Sequence, residues 1–219
     1  MLKKKKSNMI QNKIFTIIGQ KGHGKTKLTE LLITLNKKPC IIADPRYQYE
    51  PKPYRRFFKN VGHFRKYILN NANRREFYRC KLELVVNGLN RESFDELAAL
   101  VLKLKQISFL VDEIDMFADS RMTNKAPFYS LIHYGRHNEI DIFTTSRRSA
   151  NISRDLTSQT DIIIYTRVKE PNDKKYIANY IGDEFVTVAR NLPKFSFLVI
   201  NEHDEAKVIN ISSKVADKV

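Results

Sequence analysis

Eight consecutive residues, Gly19, Gln20, Lys21, Gly22, His23, Gly24, Lys25 and Thr26, match the pattern G-x-x-x-x-G-K-[ST] in full. Glycines at that spacing let backbone N–H groups turn inward around phosphate, and a helix starting there adds the positive end of its dipole. The lysine of such a loop reaches the β- and γ-phosphates and the hydroxyl after it ligates Mg²⁺, so Lys25 and Thr26 are assigned to ATP and to the metal. His23 is a spacer within the loop. Further along, Phe109-Leu-Val-Asp112-Glu113 is an apolar run that ends in two acids. Asp112 is expected to hold Mg²⁺ through its water shell, and Glu113 to polarise the attacking water as a general base. An acid pair alone also fits a solvated strand end; joined to a phosphate loop it points to triphosphate hydrolysis. Guanine recognition is not supported. No glycine completes D-x-x-G after Asp112, and Asn124-Lys-Ala-Pro127 lacks the aspartate of N-K-x-D.

Three more segments carry candidate groups. Ile140–Arg148 (IDIFTTSRR) is an apolar run ending in hydroxyls and two arginines. Thr145 and Ser146 are placed to sense the γ-phosphate. Arg147 or Arg148 touches phosphate, in cis or across a subunit interface, or else binds DNA or solvent. Gly135-Arg136-His137 follows a short helical stretch. Arg136 is either an arginine finger for a neighbour's ATP or a basic helix end favoured by the dipole.

Residues 45–81 hold eleven basic side chains against two acids, with aromatics interleaved. Phosphate contact plus stacking is the chemistry of sequence-blind nucleic-acid binding, and Arg55, Arg56 and Lys59 are the residues assigned to it. The alternative is a surface helix whose aromatics belong to the core. The whole chain has 219 residues and a formal charge of +15, which favours a polyanionic partner. The Lys3–Lys6 run is a solvated tail that adds at most non-specific DNA affinity.

These groups must be positioned by alternating strands and helices. Strands are expected at Lys13–Gly19, Cys40–Ala43, Lys81–Val86, Ile107–Val111, Ile140–Thr145 and Asp161–Tyr165. Helices are expected over Lys25–Asn36, from Ser93 on a Ser93–Glu96 capping box, over Pro127–Tyr134, and between Pro171 and Gly182. Phe195–Ile200 and Lys207–Ile211 form a closing hairpin. The prediction is one α/β domain over 13–219, after a basic tail at 1–12, with 45–81 as a basic aromatic insertion. Its sheet is central, mostly parallel and covered by helices. No apolar run approaches the length of a membrane span. Cys40 and Cys80 suggest no disulfide framework.

The motifs together resemble the FtsK–HerA superfamily of DNA-pumping ATPases, most nearly the genome-packaging ATPases of tailless, membrane-containing viruses. The resemblance runs from about Lys13 to Ile200. It rests on Gly19–Thr26, Ala43-Asp44-Pro45, Leu110–Glu113, Gly135–His137, Phe143–Ile152 and Asp161-Ile-Ile-Ile. One departure is that Arg147-Arg148-Ser149 stands where many relatives carry Gln-Arg-Pro. The resemblance implies a RecA-like P-loop NTPase of the ASCE type, with Glu113 as base. It implies a finger among Arg136, Arg147 and Arg148, ATP and Mg²⁺ as ligands, and double-stranded DNA as substrate. It further implies a ring, commonly hexameric, with a capsid vertex or viral membrane protein as docking partner, in the host cytoplasm or the virion. Two other functions remain open on the residues alone: an AAA+-type helicase loader, and a slow nucleotide-gated DNA-binding adaptor.

Overall fold

The computed structural model describes residues 13–74, 77–78 and 81–211. The expected tail at 1–12, with Lys3–Lys6, lies outside the described residues, as do Arg75, Glu76, Arg79 and Cys80. Nine strands form one sheet in the order β3-β4-β2-β5-β6-β1-β7-β8-β9. They are β1 (Ile14–Ile18), β2 (Cys40–Asp44), β3 (Arg55–Phe58), β4 (Glu83–Asn87), β5 (Ser108–Val111), β6 (Asp141–Ser146), β7 (Ile162–Tyr165), β8 (Ser196–Ile200) and β9 (Ala206–Asn210). The first seven run parallel; β8 and β9 are antiparallel additions next to β7. Every residue of β1, β2, β5 and β6 is buried, as strands covered on both faces must be.

The helices are α1 (Lys25–Asn36), α2 (Val61–Asn71), α3 (Arg91–Val101), α4 (Pro127–Tyr134), α5 (Arg154–Ser158), α6 (Pro171–Ile181) and α7 (Asp183–Asn191). Helix α3 starts before Ser93. Asn90 is its cap, and Asn90 and Ser93 exchange the reciprocal bonds of a capping box, so Ser93 is the third helical residue. Its core face is unchanged: Phe94, Leu97, Ala98 and Val101 are buried. Pro171 opens α6 as expected, but the chain does not leave helix for long at Gly182. At φ +110 that glycine breaks the axis, and α7 follows at once.

The described part of 45–81 contributes a strand, a helix and core residues to the domain. Strand β3 pairs in parallel with β4 at the sheet edge. Phe58, Phe64 and Ile68 join the main core cluster, while Tyr49 is buried in a second cluster, among Phe15, Ile42 and Phe143. Tyr47, Tyr54 and Phe57 are the exposed aromatics of this stretch. The core expectation therefore holds for Tyr49, Phe58 and Phe64, while Tyr47, Tyr54 and Phe57 remain on the surface.

Arg55 is a correction. Its guanidinium is fully buried and bonds Glu83 at 2.6 Å, Glu30 at 2.7 Å and the Glu50 carbonyl at 2.6 Å, over the Tyr49 ring. A guanidinium with its donors used inside the protein has none for nucleic acid. It instead neutralises two acids that burial alone would penalise. Arg56 and Lys59 stay exposed, with Arg56 lying over Tyr67.

Candidate active site

The phosphate loop leaves β1 at the C-terminal edge of the sheet. Gly19 N donates to the Ser146 carbonyl at 3.1 Å and Gln20 N to the Arg167 carbonyl at 2.9 Å, so the loop is strapped to the ends of both flanking segments. Gly19 has φ +138, and a Cβ there would meet Thr166 Oγ1 at 2.2 Å; only glycine fits. Gly24 is the left-handed cap of α1 and supplies no side-chain hydrogen bond to it. The first-turn N–H groups of α1 are thus left for an anion.

Strands β5 and β6 bring the second half. Asp112 and Glu113 follow β5 directly, and Thr145 and Ser146 end β6, one strand nearer the loop. A cleft of about 280 Å³ is lined by Lys21, Gly22, Gly24, Lys25, Thr26, Lys27, Gln48, Asp112, Glu113, Thr145, Ser146, Arg147 and Phe195. The residues assigned to phosphate, to metal and to the base from two distant segments therefore share one cavity. Gln20 and His23 lie in the loop without lining it; His23 is buried with an unpartnered Nδ1. Burial, then the charges of Arg167 and Lys194, lower the His23 pKa.

Lys25 Nζ bonds the carbonyls of Gly19 and Gln20 at 2.6 and 3.2 Å, folded over its own loop. Burial lowers its pKa, against the opposing pull of Asp112 and Glu113. A buried ammonium on neutral carbonyls gains strongly from an entering anion. The Thr145 hydroxyl donates to Asp112 Oδ1 and accepts the Glu113 N–H at 3.1 Å; it fixes both acids. Asp112 Oδ2 is buried without a partner, and burial raises the carboxyl pKa. With the Thr26 hydroxyl in the same cleft, that orphaned oxygen fits a hydrated Mg²⁺. Ser146 Oγ is taken up by Asp115 at 2.9 Å and by the Arg148 backbone, so of the two candidate sensors Thr145 is the one tied to the acids.

Glu113 sits in the left-handed region at φ +49, the kind of local strain that gathers at functional sites. Its carboxylate is held on both oxygens: Arg147 pairs with Oε1, and Arg46 Nε with Oε2 at 3.3 Å. Among the three finger candidates only Arg147 lines the cleft of its own chain. Arg148 is exposed and lies 3.9 Å from Glu170. Arg136 is exposed in a short 3-10 turn, Gly135–Asn138, packed against the start of β5 through Gln106 N and the Asn138 carbonyl. That is the opposite edge of the sheet from the cleft, a six-residue strand away, or roughly 20 Å. Arg46 was visible in the sequence only as one cation of a basic stretch, although it directly follows Asp44-Pro45. Asp44 caps the turn that aims it, accepting the N–H groups of Arg46, Gln48 and Tyr49.

No protein-family profile matches the chain, and no curated protein matches it by sequence. Solved structures do match. The genome packaging NTPase B204 from Sulfolobus turreted icosahedral virus 2, in complex with sulfate, superposes with a TM-score of 0.74 at 18% identity, covering 92% of this chain and 98% of that one. B204 of Sulfolobus turreted icosahedral virus, a DNA-packaging ATPase, gives 0.69 at 22% identity over 91% and 98%. VirB4 of Thermoanaerobacter pseudethanolicus gives 0.68 at 11% identity over 92% and 90%. The nine-stranded sheet, with the loop after β1 and the paired acids after β5, is the fold this chain shares with B204 and VirB4.

Proposed function

We propose that this chain hydrolyses Mg·ATP and uses the energy to move double-stranded DNA as a ring, in the manner of a viral genome-packaging motor. One observation carries the hydrolytic part: Lys25, Thr26, Asp112, Glu113 and Thr145 line one cleft although three distant segments supply them. Lys25 leaves the Gly19 and Gln20 carbonyls for the β- and γ-phosphates. Thr26 and Asp112 would hold Mg²⁺, which would supply charge neutralisation during the transfer. Thr145 keeps the two acids in fixed relation. Glu113 orients the attacking water and accepts its proton once Arg147 turns from the carboxylate to the γ-phosphate.

Support for the DNA part is the net charge of +15 and the likeness to B204, described as a DNA-packaging ATPase. Arg136 is remote from its own cleft, so a finger role for it would be toward a neighbouring subunit's ATP, as in a ring. A capsid vertex or viral membrane protein is the docking partner this reading implies; among the described residues no helix is long and apolar enough to cross a membrane.

The test is ATP turnover with and without double-stranded DNA, paired with displacement of a third strand from a triplex. DNA-stimulated turnover with ATP-dependent displacement is expected. Turnover without displacement points to the nucleotide-gated adaptor instead.

A further inference from the structure

We propose that Phe195 is the platform on which the nucleobase stacks, making the far end of the cleft a site for purine nucleoside triphosphates; this rests on the ATP-binding reading above. The sheet order fixes which way a nucleotide must lie. Glu113 follows β5, separated from β1 by β6, while Phe195 precedes β8, separated from β1 by β7. Each is two strand spacings from the phosphate loop, roughly 10 Å, on opposite flanks. Strand β8 is antiparallel to β7, with Leu198 opposite Tyr165. Its first residues therefore lie at the same sheet edge as the loop. With the γ-phosphate towards Glu113 and Arg147, the nucleoside projects towards Phe195.

Phe195 is the one aromatic among the described residues lining the cleft. It is partly buried, whereas Phe197, two residues on, is fully buried in the same cluster. A residue serving only the core has no reason to keep ring surface in a polar cavity. Its backbone is held in the left-handed region at φ +61, unusual for a side chain of this size. Two hydrogen bonds hold it there: Phe195 N donates to the His23 carbonyl at 3.4 Å, and Ile211 N donates to the Phe195 carbonyl at 2.9 Å. The first ties the ring to the phosphate loop. The ring edge lies where a Cβ on Gly24 would be, 2.7 Å from Phe195 Cδ1. The ring therefore packs directly against the residue that caps α1.

A phenyl ring offers a π face and no hydrogen bond. It grips any base by area, so purines are favoured over pyrimidines and adenine is barely separated from guanine.

The experiment compares binding of ATP and of inorganic tripolyphosphate to the full chain and its variants. Phe195→Ala and Phe195→Leu should each weaken ATP by about tenfold while tripolyphosphate stays within about twofold, and Phe195→Tyr should restore ATP. Unchanged ATP affinity in both variants overturns the proposal. So does equal weakening of ATP and tripolyphosphate, which would make Phe195 a support for the loop. Lys25→Ala should weaken both ligands; if it weakens neither, the phosphate-loop reading itself fails, whatever Phe195 does.

Discussion

Arg46 Nε donates to Glu113 Oε2 at 3.3 Å, joining the turn after β2 to the residue that follows Asp112 at the end of β5. With Arg147 on the other oxygen, both carboxylate oxygens of the candidate base carry an arginine. An arginine on each oxygen lowers the basicity of the carboxylate, so release of one arginine would favour proton transfer from water. Arg147 has a competing anion in the γ-phosphate, so Arg46 is the partner that stays and orients the carboxylate.

Arg46→Ala should therefore lower kcat by ten- to a hundredfold with little change in ATP affinity, because orientation and not binding is lost. Arg46→Lys should recover part of it. Steady-state kinetics with ATP titration checks this. An affinity loss with kcat intact would place Arg46 on the nucleotide instead.

Arg55 holds the edge of the sheet together. Arg55→Ala leaves Glu83 buried without its cation, while Glu30 keeps Lys52 at 3.2 Å. Breaking a buried pair of this kind costs about 3–5 kcal/mol. Urea unfolding should show a loss of that size. A loss near that of an exposed arginine, about 0.5 kcal/mol or less, would contradict the buried-cluster account.

Arg56 and Lys59 are the exposed cations left on β3 and the turn after it. Arg56→Glu with Lys59→Glu should weaken binding to any duplex sequence equally and reduce the salt slope by about one for each phosphate contact removed. Binding titrations at several salt concentrations measure both. Unchanged binding moves the DNA surface to the exposed loop at Ser120–Lys125.

The arginines separate by mixing. Arg147 works in its own cleft, so Arg147→Ala mixed with Glu113→Gln should stay inactive: neither chain has a complete site. Arg136 is remote from its own cleft, so Arg136→Ala mixed with Glu113→Gln should regain activity at interfaces that pair an intact site with an intact arginine. Equal behaviour of both mixtures would contradict this division.

The parts of the site that could be read directly are contiguous ones. Gly19–Thr26 and Phe109–Glu113 carry their chemistry in unbroken runs, and a buried strand announces itself by a row of Ile, Leu, Val and Phe. What could not be read depends on partners far along the chain. Arg55 looked like its exposed neighbour Arg56, because Glu30 and Glu83 meet it only after β3 pairs with β4. Strand β3 itself (RRFF) lacks the apolar run of the central strands, being an edge strand with only Arg55 and Phe58 buried. Arg46 and Phe195 share one obscured feature. Each gains its place from a turn, Asp44 capping the first and a left-handed φ shaping the second, and turn geometry of that kind leaves little periodic trace.

The central claim is that Glu113 activates water for hydrolysis of ATP held by Lys25 and Thr26. Single-turnover hydrolysis by Glu113→Gln, alongside its ATP affinity, tests it most directly. The amide keeps the shape of the side chain but accepts no proton at neutral pH. The account predicts ATP bound about as tightly as by the unaltered chain, with the chemical step slowed by at least a hundredfold. Hydrolysis within a few-fold of the unaltered rate would contradict it, and so would loss of ATP binding, which would make Glu113 a structural residue.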